Sequence, residues 1–585
     1  MQHTLSVPTG HAYPTSTRPD ASTIADAGRK QPLLDAGDLA TLAAPGTTHL
    51  PVARHHFEPT ALARLSKEDR RLFEEFGQGP IVDLSHLRIH DAFEQHAAAA
   101  PDNVAARHLG AEITYGELDR RANQLAALLV ARGVRAGDNV ALFLERSIPM
   151  LVGILATLKA GAAYVPQHVG VAPEAQLRHV IDAADTDVIL TLSHLRDQVP
   201  VPDGCTCLAI DEILTDVPAD EMAQPLADVP RVDGGAGPDD RCFVLFTSGT
   251  TGNPNGVQVT HRNVCNILLT EPGDLGMRPG RTVSQLLSIA FDMAAWETLG
   301  ALSHGATLII RGRDLAAAAR QANVIIATPS ILATIDPAEC PDVEVVAVAG
   351  EPCPRPLADR WAKVCRFHNS CGPTETTIVN TAQHYEPDTL RLTIGSPTPN
   401  NTVYVLDEHL RPCAIGEVGE MWAGGDGVTA GYLHNDELNA DRYRPDPFLG
   451  GGRRMFRTRD LGRWTPDGEL EHLGRTDDQV KVRGFRVELD SVSNALESTP
   501  GCSKAVTLKL DDRDLVAFVS PATVDVDAAR AAVAAALPYY CVPAVVLAVD
   551  SLPITSRGKT DKRALLDLAH RHLAAEAVNE LEVAS

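Results

Sequence analysis

A layered α/β fold is predicted by three observations. Short apolar runs alternate with amphipathic stretches from about residue 86, a turn-rich texture sets in near 400, and short mixed segments follow to about 570. Alternation of this kind builds sheets covered by helices. At 585 residues the chain has room for two or three domains.

Taken in order, residues 1–85 are rich in Ala, Thr, Pro, Gly and His and read as a largely irregular extension. LARLSKEDRRLFEEFG carries the one helical pattern there, near 61–76. The core spans 86–473. In it ITYGELDRRANQLAALLVARGV gives a strand and an amphipathic helix, and NVALFLERSIPMLVGILATLKAGAAYVP gives strand, helix, strand. TDVILTL, ATLIIRG, NVIIATP and VEVVAVAG add short apolar strands between helical stretches. Many glycines and short alternating runs after 400 predict a small β-rich subdomain. Residues 474–570 form a smaller α+β unit, and 571–585 a tail.

The formal charge of −24 argues against nucleic acid or an anionic membrane as partner. Eleven scattered cysteines without a CxxC pair fit a reduced, cytoplasmic chain better than a disulfide or zinc framework. No run approaches the ~18 apolar residues of a membrane span.

FVLFTSGTTGNPNGVQVTH, residues 243–261, combines chemistry with position. A buried-strand pattern breaks into a loop of hydroxyls and glycines: Thr247, Ser248, Gly249, Thr250, Thr251, Gly252. Hydroxyls and free backbone N–H groups are what wrap a phosphate. The GxxxxGK[ST] pattern does not fit.

Ten motifs in order give this loop a context. ITYGEL (113–118), LKAGAAYVP (158–166), FTSGTTGNPNG (246–256), FDMAAWE (291–297) and NSCGPTETT (369–377) are followed by GEMWAGGDGVTAGYL (419–433), FRTRDLGR (456–463), GRTDDQVKVRGFRVEL (474–489), LPYYCVP (537–543) and SRGKTDKRAL (556–565). From 86 to 568 the chain resembles the adenylate-forming enzymes, and among them the amino-acid adenylation domains of nonribosomal peptide synthetases. The resemblance implies that fold, with a large ATP- and substrate-binding core and a mobile C-terminal subdomain.

It also implies roles. The 247–252 loop would grip the β- and γ-phosphates of ATP. Asn255 stands where the family carries lysine, so a charge-assisted contact becomes a neutral one and ATP binding weakens. Cys371 replaces an aromatic ring against adenine, beside Asn369 and the facing wall Gly350, Glu351 and Pro352. Lys559 would bridge substrate carboxylate and α-phosphate, where charge develops. Glu375 would hold Mg²⁺, Thr374 would contact phosphate, and Asp460 with Arg475 the ribose. Arg459 replaces a glycine beside them. Asp477 would be the hinge of the C-terminal subdomain, and Lys481 with Gly484 would close the site for thioester formation.

Asp292 would pair the α-ammonium of an amino acid, since a buried carboxylate needs a partner. Met293, Trp296, Ala327, Ala347, Ala349, Ser370, Ile378 and Val379 would line the side-chain pocket. Three alanines and a serine suggest a deep apolar cavity without charge beyond Asp292 and Lys559. The expected substrate is a large apolar or aromatic amino acid: tryptophan first, then phenylalanine or tyrosine, then leucine. No HHxxxDG condensation motif or GGxS carrier motif occurs, so a separate phosphopantetheinylated carrier protein is the expected acceptor. An MbtH-like helper protein is a further partner common in this family. Two other readings stay open: an acyl-CoA synthetase using free coenzyme A, and a degenerate, non-catalytic ATP- or amino-acid-binding module.

Overall fold

Two sheets of parallel strands sit at the centre of the computed structural model, which describes residues 62–63, 65–213, 229–249, 253–554 and 560–583. In one, Arg241–Thr247, Ala163–His168, Asn139–Leu144, Val188–Thr191 and Thr206–Ala209 lie side by side, with Asn255–Thr260 antiparallel beyond Arg241–Thr247. In the other the order runs Arg366–Cys371, Val345–Val348, Val324–Ala327, Thr282–Gln285, Thr307–Ile310, Val104–His108. Strands such as Val345–Val348 are buried along their whole length, as the unbroken apolar runs require of a parallel sheet covered on both faces.

The helix Ile148–Lys159 touches strands of both sheets and is buried from Met150 to Lys159. Ser147 caps its start by accepting from Met150 N at 3.3 Å. Its only charge, Lys159, is neutralised inside by Glu94 and Asp119. Among the described residues no helix is long and apolar enough to cross a membrane.

The turn-rich stretch after 400 folds as a third sheet, with Asn401–Leu406, Gly419–Gly425, Arg454–Trp464 and Leu470–Arg475. The helix Lys67–Phe76 packs on it, Phe73 stacking on Tyr404 with ring centroids 5.7 Å apart. Beyond residue 475 a hairpin, Gln479–Val482 with Phe485–Glu488, leads into the helix Leu489–Glu497 and a three-stranded sheet. This part has its own apolar core around Val487, Val492, Leu515 and Val533.

Candidate functional site

Every parallel strand of the two central sheets that reaches the site delivers its residue from its C-terminal end, where open α/β sheets bind ligands. Thr247 ends one strand, and Leu286 to Asp292 follow Thr282–Gln285. Thr328 follows Val324–Ala327, Gly350 follows Val345–Val348, and Cys371 ends Arg366–Cys371. The hairpin 479–488 closes over these ends, leaving a cavity of about 920 Å³.

Met293, Ala349, Gly350, Glu351, Pro352, Asn369, Ser370, Cys371, Thr374, Ile378, Asp460, Arg475, Asp477, Lys481 and Gly484 all line it, together with Thr247, Ser248 and Asp292. Lys559, Thr250, Thr251 and Gly252 lie outside the described residues.

Asp292 opens the helix Asp292–Ser303 and accepts from Met293 N at 2.8 Å. Burial pushes its carboxyl up, against a hydrogen bond from Thr374 and the charge of Lys481. Lys481 is itself held below its usual range by burial and by Arg486. Gly484 sits at φ +84° with the Thr328 side chain 2.8 Å from where a Cβ would be. Only glycine meets both conditions.

Asp460 accepts from Arg475 Nη1 at 2.6 Å and from His472 Nε2 at 3.3 Å. Burial opposes its charge, yet His472 and Arg475 leave the carboxyl below its usual range. The same Arg475 donates to Asp477 at 2.7 and 2.9 Å, tying the expected ribose carboxylate to the expected hinge. Arg459 takes the left-handed conformation, φ 62°, that a glycine would adopt freely.

Glu375 is fully buried and does not present an open metal site in this arrangement. Its carboxylate accepts from Tyr432 Oη at 2.6 Å and from Arg486 Nη1 at 3.0 and 3.2 Å. Among the described residues no three His, Cys, Asp or Glu side chains cluster to hold a metal. Asn369 spends an amide N–H on Thr393 O at 2.6 Å, and burial pushes the Cys371 thiol up to about 12, keeping it neutral. Asn255 Oδ1 accepts from Asn435 Nδ2 at 3.0 Å. Ser491 binds the Gly249 carbonyl and Ser248 Oγ donates to Arg486 O at 3.3 Å, so the start of the hydroxyl loop is fastened to the C-terminal subdomain.

The residues expected to line the side-chain pocket divide: Met293, Ala349, Ser370 and Ile378 line the main cavity and the others do not. Ala327 and Ala347 are fully buried within their strands, and Trp296 turns its indole N–H onto Gly273 O at 2.5 Å. Trp296 and Val379 border a narrow crevice with no open volume instead of the main cavity. Nor is the cavity wall uncharged: Arg146, Arg311 and Arg486 all reach it. Arg486 lies inside one of the ten motifs, but nothing local pairs it with Glu375, 111 residues away.

Strand-end residues gathered around one cavity, beneath the hairpin 479–488, set the site of a layered α/β protein. The chain belongs to the AMP-binding enzyme family, which matches residues 93–433. It is an adenylate-forming enzyme of the kind found in nonribosomal peptide synthetases. It is 45% identical over 525 residues to Adenylate-forming reductase 06235 of Coprinopsis cinerea, covering 89% of this chain and 50% of that protein. It is 36% identical over 534 residues to the phosphinothricin tripeptide synthetase PhsC of Streptomyces viridochromogenes, covering 87% of this chain and 48% of that one. The chain thus spans about half the length of each of these two relatives. Among solved structures it matches a holo nonribosomal peptide synthetase protein containing adenylation and PCP domains bound to a vinylsulfonamide inhibitor. The TM-score is 0.73 at 25% identity, over 82% of this chain and 84% of that one. An artificially fused adenylation–PCP di-domain from Klebsiella oxytoca matches with a TM-score of 0.69 at 26% identity, over 78% and 93%.

Proposed function

We propose that this chain activates an amino acid with ATP as aminoacyl-AMP, releasing pyrophosphate, and passes the acyl group to the phosphopantetheine thiol of a carrier protein. The observation that carries the reading is Asp292. Its carboxylate faces the cavity beside Thr374 and Lys481, with no cation within 4.0 Å among the described residues. A substrate ammonium supplies that missing partner. The side chain would then lie against Met293, Ala349 and Ile378. Ser370 Oγ is buried without a hydrogen-bond partner and is the natural acceptor for an indole N–H or a phenol. Tryptophan is the first choice, then phenylalanine or tyrosine, then leucine.

In the first step a substrate carboxylate oxygen bonds to the α-phosphorus, and the bond to the pyrophosphate oxygen breaks. Lys559 would balance the charge of that step. ATP would bring Mg²⁺, and Glu375 would hold it only once Arg486 has withdrawn. In the second step the thiol gives up its proton, sulfur bonds to the acyl carbon, and the bond from that carbon to the AMP oxygen breaks, so that AMP leaves with the electron pair. The present arrangement, with Lys481 and Gly484 facing the cavity, supports that step as the one this closure serves.

The names of the relatives favour a second reading of the product's fate. Two adenylate-forming reductases are 45% and 44% identical, ahead of the 36% of the tripeptide synthetase. The activated acyl group would then go on to a reduction rather than to a peptide bond. ATP–pyrophosphate exchange with each of the twenty amino acids tests the core proposal. Exchange that no amino acid stimulates would overturn it.

A further inference from the structure

Between the cavity and the narrow crevice the chain is bent against its own preferences. Thr377 and Ile378 both take left-handed backbone, φ 61° and 68°, which β-branched residues avoid. Val379 N donates to Thr377 O at 2.8 Å, closing a three-residue turn with Ile378 at its centre. With φ positive there, this is the rare and strained form of the γ-turn. The turn sends two consecutive side chains to different places. Ile378 lines the cavity, whereas Val379 borders the crevice beside Trp296. Ser370 belongs to both walls.

Strain of this kind persists only where the surroundings over-determine it. Thr377 N donates to Thr374 O at 3.0 Å, and Thr377 Oγ1 donates to Gly427 O at 2.7 Å. Gly427 is itself held, its N–H donating to Asn401 Oδ1 at 2.7 Å. A Cβ on Gly427 would meet that same Oδ1 at 2.7 Å and Thr376 O at 3.0 Å. On the other side, Gly372 lets the turn press on a strand end: a Cβ there would lie 2.6 Å from Val379 Cα. Ile378 and Val379 are aliphatic, so the Thr377 hydroxyl is the one side-chain hydrogen bond the turn can make. Thr377 is fully buried and lines neither space, so it does not touch whatever occupies the cavity.

We propose that Thr377 is a positioning residue: hooked to Gly427, it holds Ile378 in the strained turn, keeps the crevice shut off from the cavity and so sets the depth available to the substrate side chain. This rests on the proposed activation of an amino acid. Without the hook the turn relaxes, Ile378 leaves the wall, and the space beside Ser370 and Trp296 joins the cavity. Discrimination between side chains then weakens, while the nucleotide end keeps its own contacts.

The test is amino-acid-dependent pyrophosphate exchange, measured for each of the twenty amino acids in wild type, Thr377→Val, Thr377→Ser and Thr377→Gly. Valine keeps the shape and loses the hydroxyl. It should lower the ratio of kcat/KM between the best amino acid and the next by about five-fold, the worth of one neutral hydrogen bond. The change should lie in the amino-acid KM, with the KM for ATP hardly altered. A merely structural loss would lower kcat for all amino acids alike and leave the ratio where it was. Serine restores the donor and should restore the ratio. Glycine takes left-handed backbone freely, so it removes the hook without a strained residue at 377 and should show the valine profile even where the valine protein folds poorly. A wild-type profile in the valine and glycine variants overturns the hook, as does a serine variant that behaves like valine. A wild type that exchanges with no amino acid removes the amino-acid reading itself, and this inference with it.

Discussion

Arg486 of the C-terminal subdomain donates to both carboxylate oxygens of Glu375 in the core, at 3.0 and 3.2 Å, within a fully buried environment for Glu375. A cation carried on the C-terminal subdomain thus sits on the carboxylate expected to bind a metal. The two occupants exclude one another. Arg486→Gln should therefore favour the open arrangement, since a buried carboxylate without its partner costs about 3–5 kcal/mol. Peptide bonds around Asp477 should be cut faster in limited proteolysis, and acyl transfer should fall about ten-fold or more while pyrophosphate exchange persists. Unchanged proteolysis would show that the pair does not hold the subdomain down.

Arg459 spends conformational energy in reaching towards Asp477, the expected hinge. Left-handed backbone costs a non-glycine residue roughly 1–2 kcal/mol, and here its guanidinium binds Asp441 at 3.0 Å and approaches Asp477 at 3.6 Å. Arg459→Asn keeps a residue that tolerates this φ and removes the charge. It should leave the melting temperature nearly unchanged and make the 474–480 segment more protease-sensitive. Arg459→Gly should be as loose at the hinge. If both variants resist protease like wild type, Arg459 does not restrain Asp477.

Asp292→Ala should remove most amino-acid-dependent exchange, by about 100-fold or more in kcat/KM, because the substrate ammonium loses its only carboxylate partner. The loss should be larger for the α-amino acid than for the matching desamino acid. A variant that retains amino-acid turnover would place the ammonium elsewhere.

These predictions divide by what a linear pattern can carry. Thr247, Asp292, Thr374, Asp460 and Gly484 were legible because each falls in a motif that carries the family resemblance, and all five line the cavity. Trp296 was not, because the rotation of one buried ring depends on packing against Gly273, a neighbour in space. Arg486 and Glu375, or Arg146 and Arg311, come from segments whose closeness only the fold creates. The glycine replacement at Arg459 was visible as a departure, but its reach to Asp441 and Asp477 was not. The helix Lys67–Phe76 followed its periodicity, yet its bed on Tyr404 lies more than 300 residues further on.

Acid should unfold this protein in a defined window. His168, His261 and His368 are each driven down to about 4, from 6.5, chiefly by burial. The unfolded chain therefore binds protons first. Stability is intact above about pH 6.5 and falls as pH drops towards 4, by about 1.4 kcal/mol per pH unit for each histidine. Glu297 runs the other way: its raised value, about 8, means stability lost as pH rises from 4.5 to 8. The three histidines outweigh it below 6.5. Denaturant midpoints measured from pH 8 to 4 should fall steeply below 6.5, and less so in His368→Gln. A flat profile from 6.5 to 4 would mean these rings are not buried neutral.

The phosphate loop gives the last prediction. Asn255 follows the loop, paired across the strands with Thr247, and its side-chain nitrogen lies close beside Gly249. Its oxygen is spent on Asn435, the N-cap of the helix Asp436–Arg442. Asn255→Lys would exchange that neutral bond, worth about 1 kcal/mol, for a cation beside the expected pyrophosphate, worth about 1.5–3 kcal/mol. In a partly solvated loop the net gain should be about 1 kcal/mol, roughly five-fold in the KM for ATP. The amino-acid KM should hardly change, because the loop serves the far end of the triphosphate. The melting temperature should drop slightly as Asn435 loses its partner. Turnover should slow where tighter pyrophosphate binding makes its release limiting. Steady-state kinetics with ATP varied at saturating amino acid separate the two roles of residue 255. A lower melting temperature with an unchanged ATP KM would make Asn255 a clamp between strand and helix, and would leave the triphosphate to the hydroxyls and backbone amides of the loop.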